Sequence, residues 1–325
     1  MSVDKLPLRI EAFLTSGLGP VADARVIEPL RWTATRAGVP VRLHLDRAEF
    51  PEPIDGRGAV FLRYRPHGQP PSWALHRAVL QAGYLLVSDV DDLLWEGGDA
   101  SVGEADRARR VAGYRDSDFV AYRGVHAIQA SKPLLAEELR RFNPTVRVFP
   151  ATVAEVPDLR PRPAGPPRLV FAALNRTADW QPIVEPLNRV LRRRPDVHVV
   201  TVHDAGFHEA LATANKQFVG FQPYERYLET LGSGDVALLP LADTRFNRAK
   251  SDLKFVECAA RGTAVLASEV VYGDSIEDGV SGLLYRTPEA FEAQLVRLLD
   301  DAGLRAALAR AAHGWVRRER SLRAG

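Results

Sequence analysis

The chain has 325 residues, of which 46% are hydrophobic and 26% are charged, a composition typical of a globular protein. Its 43 basic and 41 acidic residues give a net charge of +2, so nucleic acid is not expected as the main partner. The single cysteine, Cys258, excludes an internal disulfide and is compatible with a reducing compartment. Since a single core rarely grows beyond about 250 to 300 residues, we expect two domains.

The amino-terminal stretch MSVDKLPLRIEAFLTSG lacks the basic and then apolar pattern of a signal peptide. No segment approaches the roughly 18 apolar residues of a membrane span. We therefore expect a cytoplasmic protein. Basic runs at 192–194 and 317–320 predict solvated helix faces, with peripheral contact to anionic lipid at the inner membrane face as the alternative.

Short apolar segments alternate with longer amphipathic ones along the whole chain. In the first half they predict strands at 8–14, 41–45, 59–64, 84–89, 125–131 and 146–150. In the second half they predict strands at 168–174, 196–202, 217–221, 235–241, 263–268 and 281–286. Strands that alternate with helices favour parallel sheets covered on both faces, so we predict an α/β fold with two doubly wound, Rossmann-like domains.

A proline-rich segment, VPDLRPRPAGPPR at 156–168, separates the two halves. Proline fixes φ and removes a backbone donor, so this segment is predicted to be the linker. The N-terminal domain is then predicted at 1–155 and the C-terminal domain at 169–312. Residues 313–325 are predicted to be a helix end and tail.

Two of the five lysines, Lys250 and Lys254, lie in a loop and helix start that follow the apolar run DVALLPL. Ligands of open α/β sheets bind at the carboxyl ends of strands, which draws attention to this loop. With Ser251 as N-cap, Lys254 would be the third helical residue, where a cation costs about 0.3 to 1 kcal/mol. An anion such as phosphate at the helix start would outweigh that cost. The alternative is a surface pair between Lys254 and Glu257.

Three motifs follow one another after this loop, ECAARG, TAVLAS and DGVSG. In this order they resemble the Glu-Ala-x-Ala-x-Gly helix, the Pro-Val-Val-Ala-Ser-like strand and the Gly-x-x-Gly turn of GT-B glycosyltransferases, especially the retaining family 4. The resemblance runs from Arg168 to about Ala312 and includes VFAALNRTADWQPI and VGFQPYERYLETLGSGDVALLPL. It implies a GT-B fold, two Rossmann-like domains facing a cleft, with the donor bound by the C-terminal domain.

The resemblance also implies which residues bind the donor. Glu257 matches the second glutamate of the family's paired-glutamate motif, which grips the ribose hydroxyls of a nucleotide sugar. Arg176 resembles the family's phosphate-facing arginine, and Phe221 lies where the base is held, largely by backbone. The remaining members of the predicted donor-binding set are Asn175, Asn247, Lys250, Ser251, Lys254, Tyr272, Gly17 and Gly19.

Two features of this set have open interpretations. Eight positions before Glu257 the family has a first glutamate that meets the transferred sugar, but residue 249 is alanine; Asp243 and Asp252 are the alternatives for its role. The segment SGLGP at 16–20 would let the backbone approach the diphosphate, or it is a plain turn.

Three aspartates, Asp89, Asp91 and Asp92, follow the strand predicted at 84–89. Carboxylates this close repel one another, so a cation, an arginine or a sugar hydroxyl is expected beside them. Some bacterial surface-polysaccharide enzymes carry an Asp-x-Asp-Asp segment here, and we predict that these three are catalytic, with Asp91 foremost. A metal-dependent, GT-A-like transferase using the same aspartates is one alternative, and a solvated loop with an N-cap aspartate is another.

The sequence therefore predicts a bacterial glycosyltransferase of polysaccharide biosynthesis. It would move a sugar, with retention, from a nucleotide-diphosphate sugar to a glycan, lipid-linked glycan or protein hydroxyl. No cofactor is expected, because the nucleotide sugar is a substrate. No metal is expected, because Lys250, Lys254, Arg176 and the helix amides would already neutralise the diphosphate. Ala249 leaves a non-catalytic nucleotide-sugar binding subunit as the alternative. Cys258 is expected to be a core residue rather than a nucleophile, and His203 with Asp204 predict a capped turn rather than part of a triad.

Overall fold

The structure is a computed structural model and describes residues 8–14, 20–45, 56–64, 71–93, 96, 108, 122–159, 161, 165–174 and 176–323. The chain divides into two compact units, which are described separately. The N-terminal unit extends to Ala154 and also includes Ala249–Ser251. The C-terminal unit comprises Glu155–Arg248 and the chain from Asp252 onward.

In the described residues of the N-terminal unit, six parallel strands form one sheet in the order β2-β1-β3-β4-β5-β6. The strands are β1 (Arg9–Leu14), β2 (Val41–Leu45), β3 (Ala59–Tyr64), β4 (Leu85–Val90), β5 (Ala127–Ala130) and β6 (Val146–Val148). The described helices are α1 (Pro20–Ala22), a π-helical turn (Asp23–Ile27), α2 (Glu28–Arg36), α3 (Pro71–Gln81) and α4 (Pro133–Leu139). Because helices cover a parallel sheet, its strands are largely apolar on both faces, as in β1, where the successive residues Ala12, Phe13 and Leu14 are buried.

The C-terminal unit contains a second parallel sheet, in the order β12-β11-β10-β7-β8-β9. The strands are β7 (Arg168–Ala172), β8 (His198–Val202), β9 (Lys216–Val219), β10 (Val236–Leu239), β11 (Ala264–Ser268) and β12 (Leu283–Tyr285). The helices are α5 (Thr177–Arg193), α6 (Ala205–Ala210), α7 (Tyr224–Gly232), α8 (Arg245–Arg248), α9 (Leu253–Ala260), α10 (Glu269–Tyr272), α11 (Pro288–Asp300) and α12 (Ala302–Glu319). The strand order reverses between β7 and β10, and open sheets bind ligands outside the carboxyl ends of their strands at such a point.

The long helix α5 shows how the sequence builds the core of this unit. It buries Trp180, Ile183, Leu187 and Val190 on one face, at spacings of three and four residues, which is the pattern of a helix lying against a sheet. These side chains join one core with residues of β7, β8, β10, β11 and α11. That core fixes the strand ends from which the loops of the candidate site extend.

The prediction of two doubly wound α/β domains is confirmed. All twelve predicted strands form, and no strand end differs from its prediction by more than two residues. In the described part of 156–168, regular structure begins only at Arg168, the first residue of β7. Within the described ranges, no helix combines the length and the apolar character needed to cross a bilayer.

Candidate active site

Polar and aromatic side chains meet at the carboxyl ends of β8 and β9 and on the facing helices α7 and α9. The members are His203, Phe221, Tyr227, Lys254 and Glu257, and we call this group the Glu257 cluster. His203 directly follows β8, and Phe221 lies in the loop between β9 and α7. All five belong to the C-terminal unit.

The centre of the cluster is a hydrogen-bonded series of three groups. The hydroxyl of Tyr227 donates to Oε2 of Glu257 at 3.1 Å, and Nζ of Lys254 donates to the same hydroxyl. Nζ lies 3.6 Å from Oε2 and 4.5 Å from the centroid of the Tyr227 ring, a cation–π contact. The other carboxylate oxygen, Oε1 of Glu257, is buried and makes no hydrogen bond with any described residue. A buried acceptor in that condition is costly unless a ligand or water bonds to it.

Burial controls the electrostatics of these groups. Glu257 and Tyr227 are both 0% exposed, whereas the side chain of Lys254 is 30% exposed. Burial raises the pKa of Glu257, because the charged form loses its hydration, and Lys254, Tyr227 and Tyr224 lower it in part. Burial also raises the pKa of the Tyr227 hydroxyl well above its usual value, followed by the effect of Glu257. Tyr227 therefore keeps its proton.

An aromatic stack leads from this centre to the surface. The ring of His203 is stacked on Tyr227 at 6.2 Å on one side and on Phe221 at 5.5 Å on the other. Phe221 is 73% exposed. His203 has a φ of 71°, a left-handed conformation that costs a non-glycine residue about 1 to 3 kcal/mol and is typical of functional sites. Burial and then Lys254 lower the pKa of His203, so the neutral ring is favoured.

The predicted capped turn after β8 is confirmed. Oδ1 of Asp204 accepts from the backbone N–H of Phe207 at 3.0 Å and caps α6. Its Oδ2 accepts from the backbone N–H of Arg176 at 3.2 Å and from Nε1 of Trp180 at 3.3 Å. One carboxylate thus ties the end of β8 to the beginning of α5 and fixes the backbone at Arg176.

Arg176 itself precedes α5, next to the loop that follows β10. Its guanidinium lies 5.9 Å from the Phe246 ring centroid and 3.6 Å from Oδ2 of Asp179. Oδ1 of Asp179 accepts from the backbone N–H of Ala242 at 2.9 Å and from Nδ2 of Asn247 at 2.7 Å. Asn247 is 3% exposed, so the side chain predicted to bind donor instead braces this loop from within.

The start of α9 differs from the prediction by one residue. Asp252, not Ser251, is the N-cap, and no side chain caps the helix. Lys254 is therefore the second helical residue rather than the third. The Asp252 carboxylate accepts from Ser275 and from the guanidinium of Arg320 at 2.9 and 3.3 Å, which draws it away from the helix start.

This chain also differs from family 4 at residue 249, where it has alanine in place of the first glutamate of the family's motif. Ala249 is fully buried. Of the two carboxylates considered in place of the missing glutamate, Asp243 is bound by both nitrogens of the Arg248 fork, at 2.5 and 2.8 Å, and the hydrogen bonds from Arg248 lower its pKa. Asp252 is held by Arg320. Both carboxylates are thus engaged in ion pairs.

In the N-terminal unit, Asp89 is closed off from substrate. It is 0% exposed and accepts two hydrogen bonds from the guanidinium of Arg25, at 3.0 and 2.5 Å. Arg25 also donates to the carbonyl of Phe149 at 3.3 Å. The arginine partner matches the expectation for crowded carboxylates, but the geometry gives Asp89 a structural role in place of the predicted catalytic one.

Asp91 and Asp92 have different surroundings from Asp89. Asp91 is 5% exposed, and its backbone carbonyl accepts from Oγ of Ser131 at 3.3 Å. Oδ1 of Asp92 accepts from Nζ of Lys250 at 2.8 Å, and both residues belong to the N-terminal unit. Because Asp89 and Asp91 are buried, the alternative of a solvated loop is wrong.

The remaining predicted residues are either buried or not described. Tyr272, on α10, is 4% exposed, and burial raises its pKa. Cys258 is 0% exposed and burial raises the pKa of its thiol to about 12, which confirms a core residue. Gly17, Gly19 and Asn175 lie outside the described residues.

Sequence reasoning missed Tyr227 and set His203 aside. Tyr227 contacts Lys254 and Glu257, which are 27 and 30 residues further along the chain. No local sequence motif therefore indicates that Tyr227 belongs to the site. The available signal was the position of a tyrosine, with a polar hydroxyl, among the buried apolar residues of α7.

Residues 176–324 match a family described as glycosyl transferase-like. Sucrose-phosphate synthase from Thermosynechococcus elongatus aligns with a TM-score of 0.69 at 16% identity, over 98% of this chain and 96% of that chain. HepE from Anabaena, in complex with UDP and glucose, aligns with a TM-score of 0.65 at 14% identity, over 97% and 96%. TarM from S. aureus aligns with a TM-score of 0.62 at 10% identity, over 82% of this chain but 53% of that chain, so this chain spans about half its length. No curated protein matches the chain.

These structures have the GT-B fold, which rules out the fold of the GT-A-like alternative. The family match covers the loops of β8, β9 and β10 and therefore the whole Glu257 cluster. The family match agrees with the prediction of a glycosyltransferase. The chain has the GT-B fold of two Rossmann-like domains, and its residues 176–324 match a glycosyl transferase-like family.

Proposed function

We propose that the chain transfers a sugar from a nucleotide-diphosphate sugar to an acceptor hydroxyl, with retention, as in family 4. The observation that carries the proposal is the Glu257 cluster at the carboxyl ends of the strands. It combines a buried carboxylate oxygen without a hydrogen bond, an ammonium group and an exposed aromatic ring. Each of these groups suits one part of a nucleoside diphosphate.

Glu257 is suited to the ribose. A sugar hydroxyl donating to Oε1 would supply the hydrogen bond that this buried oxygen lacks. Hydrogen bonds to a charged group contribute about 1.5 to 3 kcal/mol. The carboxylate is acceptor-only when ionised, so it favours hydroxyl donors over phosphate oxygens.

Lys254 and Arg176 are suited to the diphosphate. Lys254 lies in the first turn of α9, whose backbone N–H groups and dipole favour an anion. Arg176 lies beside the strand-order reversal, 27% exposed. Positive groups fixed in advance at these positions stabilise the charge that develops on the leaving diphosphate, which is the electrostatic mode of catalysis. Lys250 and Ser251 stay predicted contacts of the same phosphates.

The exposed ring of Phe221 is suited to the base. Stacking of a base on an aromatic side chain contributes about 1 to 3 kcal/mol, and His203 supports the ring from behind. The solved HepE and TarM complexes contain UDP. Uridine diphosphate is therefore the first ligand to test.

Transfer also requires an acceptor, for which Asp91 is the proposed catalytic contact. The departing phosphate can take the acceptor proton, so no strong general base is demanded. We propose a glycan, a lipid-linked glycan or a protein as acceptor, within bacterial polysaccharide biosynthesis. A cytoplasmic location with peripheral contact at the inner membrane face is part of the same proposal.

The test is calorimetric titration of the purified chain with UDP, GDP and ADP, after a thermal-shift panel of nucleotide sugars. A ligand at 100 times its Kd adds about 2.7 kcal/mol of stability. Glu257→Gln and Lys254→Ala should each weaken nucleoside diphosphate binding by about 10-fold or more while leaving Tm nearly unchanged. Glu225→Gln, an exposed glutamate on α7, is the matched control.

Unaltered affinity in both variants would overturn the proposed site. Turnover of a bound nucleotide sugar by the wild-type chain separates an enzyme from the non-catalytic binding subunit that Ala249 leaves open. Binding of the donor with no release of nucleoside diphosphate, with or without acceptor, would favour the binding subunit.

A further inference from the structure

A cavity of about 570 Å³ lies at the carboxyl ends of β10, β11 and β12. These strands form the half of the second sheet that the Glu257 cluster does not occupy. The beginnings of α5 and α11 complete the wall of the cavity, whereas the Glu257 cluster draws on α7 and α9. Every residue that lines the cavity belongs to the C-terminal unit. Small-molecule sites have volumes of about 300 to 1,000 Å³, so this cavity is large enough for a ligand of its own.

The buried part of the lining carries hydroxyl groups. Ser268, at the end of β11, is 4% exposed, and its Oγ makes no hydrogen bond with any described residue. Although Ser268 is the N-cap of α10, its side chain does not cap that helix. A buried hydroxyl in this condition costs free energy unless a ligand or water bonds to it. Tyr285, at the end of β12, lines the same cavity and is 8% exposed. Burial and then Asp179 raise the pKa of its hydroxyl, so Tyr285 keeps a proton to donate.

Two exposed ion pairs in the lining bear on the charge of a ligand. Arg248 donates from Nε and Nη2 to the two oxygens of Asp243, and Arg286 donates in the same way to Glu269. The hydrogen bonds from the arginines lower the pKa of both carboxyls, so both pairs are charged at neutral pH. The third carboxylate of the lining, that of Asp179, already accepts from the loop after β10.

These pairs make the cavity unsuited to an ionic ligand. An anion such as phosphate would have to displace a carboxylate from a guanidinium that binds it through two nitrogens, which is a strong form of ion pair. A cation would have to displace a guanidinium from its carboxylate. The lining therefore suits a neutral ligand, and the unpartnered hydroxyl of Ser268 requires that this ligand carry hydrogen-bonding groups.

The remaining capacity of the lining indicates the class of neutral ligand. A carboxylate has about four acceptor positions, so Asp243 and Glu269 can accept from ligand hydroxyls without leaving their arginines. The rest of the lining is mainly aliphatic and includes Ile183, Leu241 and Val270. A sugar ring has hydroxyls around its edge and C–H groups on its faces, and it matches both kinds of surface.

We propose that this cavity is a second carbohydrate site, which binds a neutral mono- or disaccharide unit. Ser268 and Tyr285 bond to the sugar hydroxyls in the buried part of the cavity, and the two ion pairs bond to those nearer solvent. The aliphatic residues pack against the ring. The site goes beyond the proposed function, because it contains no member of the Glu257 cluster and needs no nucleotide.

The test is titration of the full chain with maltose, cellobiose and lactose, without nucleotide, followed by calorimetry and by saturation-transfer NMR. We expect at least one of these disaccharides to bind and inorganic phosphate not to displace it. Ser268→Ala should weaken the binding by about 5-fold or more without lowering Tm, because the hydroxyl has no partner to lose in the folded chain. Ser233→Ala is the matched control, since this hydroxyl bonds to the carbonyl of Thr230 at 2.8 Å outside the cavity, and it should leave disaccharide affinity unchanged.

A second variant closes the cavity. Val270→Trp places a large side chain in the lining and should abolish disaccharide binding, whereas Val280→Trp, at an exposed position outside the lining, should not. Glu257→Gln should leave disaccharide affinity unchanged, which separates the cavity from the proposed donor site.

Three results would overturn the proposal: no binding of any of the three sugars, displacement of the sugar by phosphate, or equal binding by wild type, Ser268→Ala and Val270→Trp. If Val270→Trp fails to fold in a thermal scan, the comparison of Ser268→Ala with Ser233→Ala decides alone, and equal affinities overturn the proposal. Failure of wild type to bind UDP, GDP or ADP would instead overturn the proposed function, and the disaccharide titrations would be unaffected by it.

Discussion

Two carboxylates of this chain, Asp89 in the N-terminal unit and Glu257 in the C-terminal unit, are both 0% exposed and are compensated in different ways. Asp89 receives two hydrogen bonds from one guanidinium, that of Arg25. Glu257 receives one from the neutral hydroxyl of Tyr227, and the ammonium of Lys254 stays 3.6 Å away.

The difference teaches how to separate a structural charge from a binding charge when both are buried. A buried ion is tolerated when paired and hydrogen-bonded on all sides, and the pair then belongs to the fold. Arg25 meets that condition for both oxygens of Asp89. Glu257 retains one oxygen without a hydrogen bond in the described residues, and this unused capacity is what a ligand can take up.

The largest expected effect is the loss of stability when the ion pair between Arg25 and Asp89 is broken. Arg25→Met leaves the Asp89 carboxylate buried without its partner, so the free energy of unfolding should fall by about 3 to 5 kcal/mol. Urea denaturation followed by circular dichroism measures the loss. Arg31→Met, which removes an exposed pair with Glu28, should cost no more than about 1 kcal/mol. A loss for Arg25→Met as small as that of the control would show that the pair is not structural.

The next effect concerns Asp91, the aspartate for which a catalytic role is proposed. Asp91→Asn should lower turnover by about 100-fold, the scale of one lost transition-state contact, with little change in nucleotide affinity. Asp89→Asn should instead act on stability, which sharpens the contrast between neighbouring aspartates. EDTA should change turnover little. Activity that disappears with EDTA and returns with manganese or magnesium would show that the aspartates bind a metal.

The smallest effect is a pH dependence of stability that arises from the incompletely compensated carboxylate, Glu257. The pKa of Glu257 is raised from 4.5 in the folded chain, so the folded state holds this proton more tightly than the unfolded state does. Its contribution is therefore fully present below 4.5 and is lost as pH rises through the raised folded pKa. Relative to Glu257→Gln, the wild type should lose unfolding free energy over that window in urea titrations. A difference between the two proteins that stays constant with pH would contradict the assignment.

The fold could be predicted from the sequence because the strands of a parallel sheet are short apolar runs. Such runs can be recognised locally, without knowing which distant residues they contact. Side-chain roles that depend on distant contacts could not be predicted. Ser251 and Asp252 are both good N-cap residues, and nothing local shows that Arg320, 68 residues away, binds the second one. Likewise, the Asp-x-Asp-Asp segment predicts a catalytic Asp89, and nothing local shows that Arg25, 64 residues before it, binds this carboxylate. Glu257 could be located by its motif, whereas Tyr227 could not.

The burial of Cys258 has a practical consequence for measuring these effects. It is the single cysteine of the chain, and with a thiol pKa of about 12 it presents almost no thiolate to a reagent at neutral pH. A cysteine introduced at the exposed Glu225, beside the Glu257 cluster, would therefore be the one site that a maleimide dye labels. The chain can serve as a fluorescent sensor of its own ligand without removal of any native thiol.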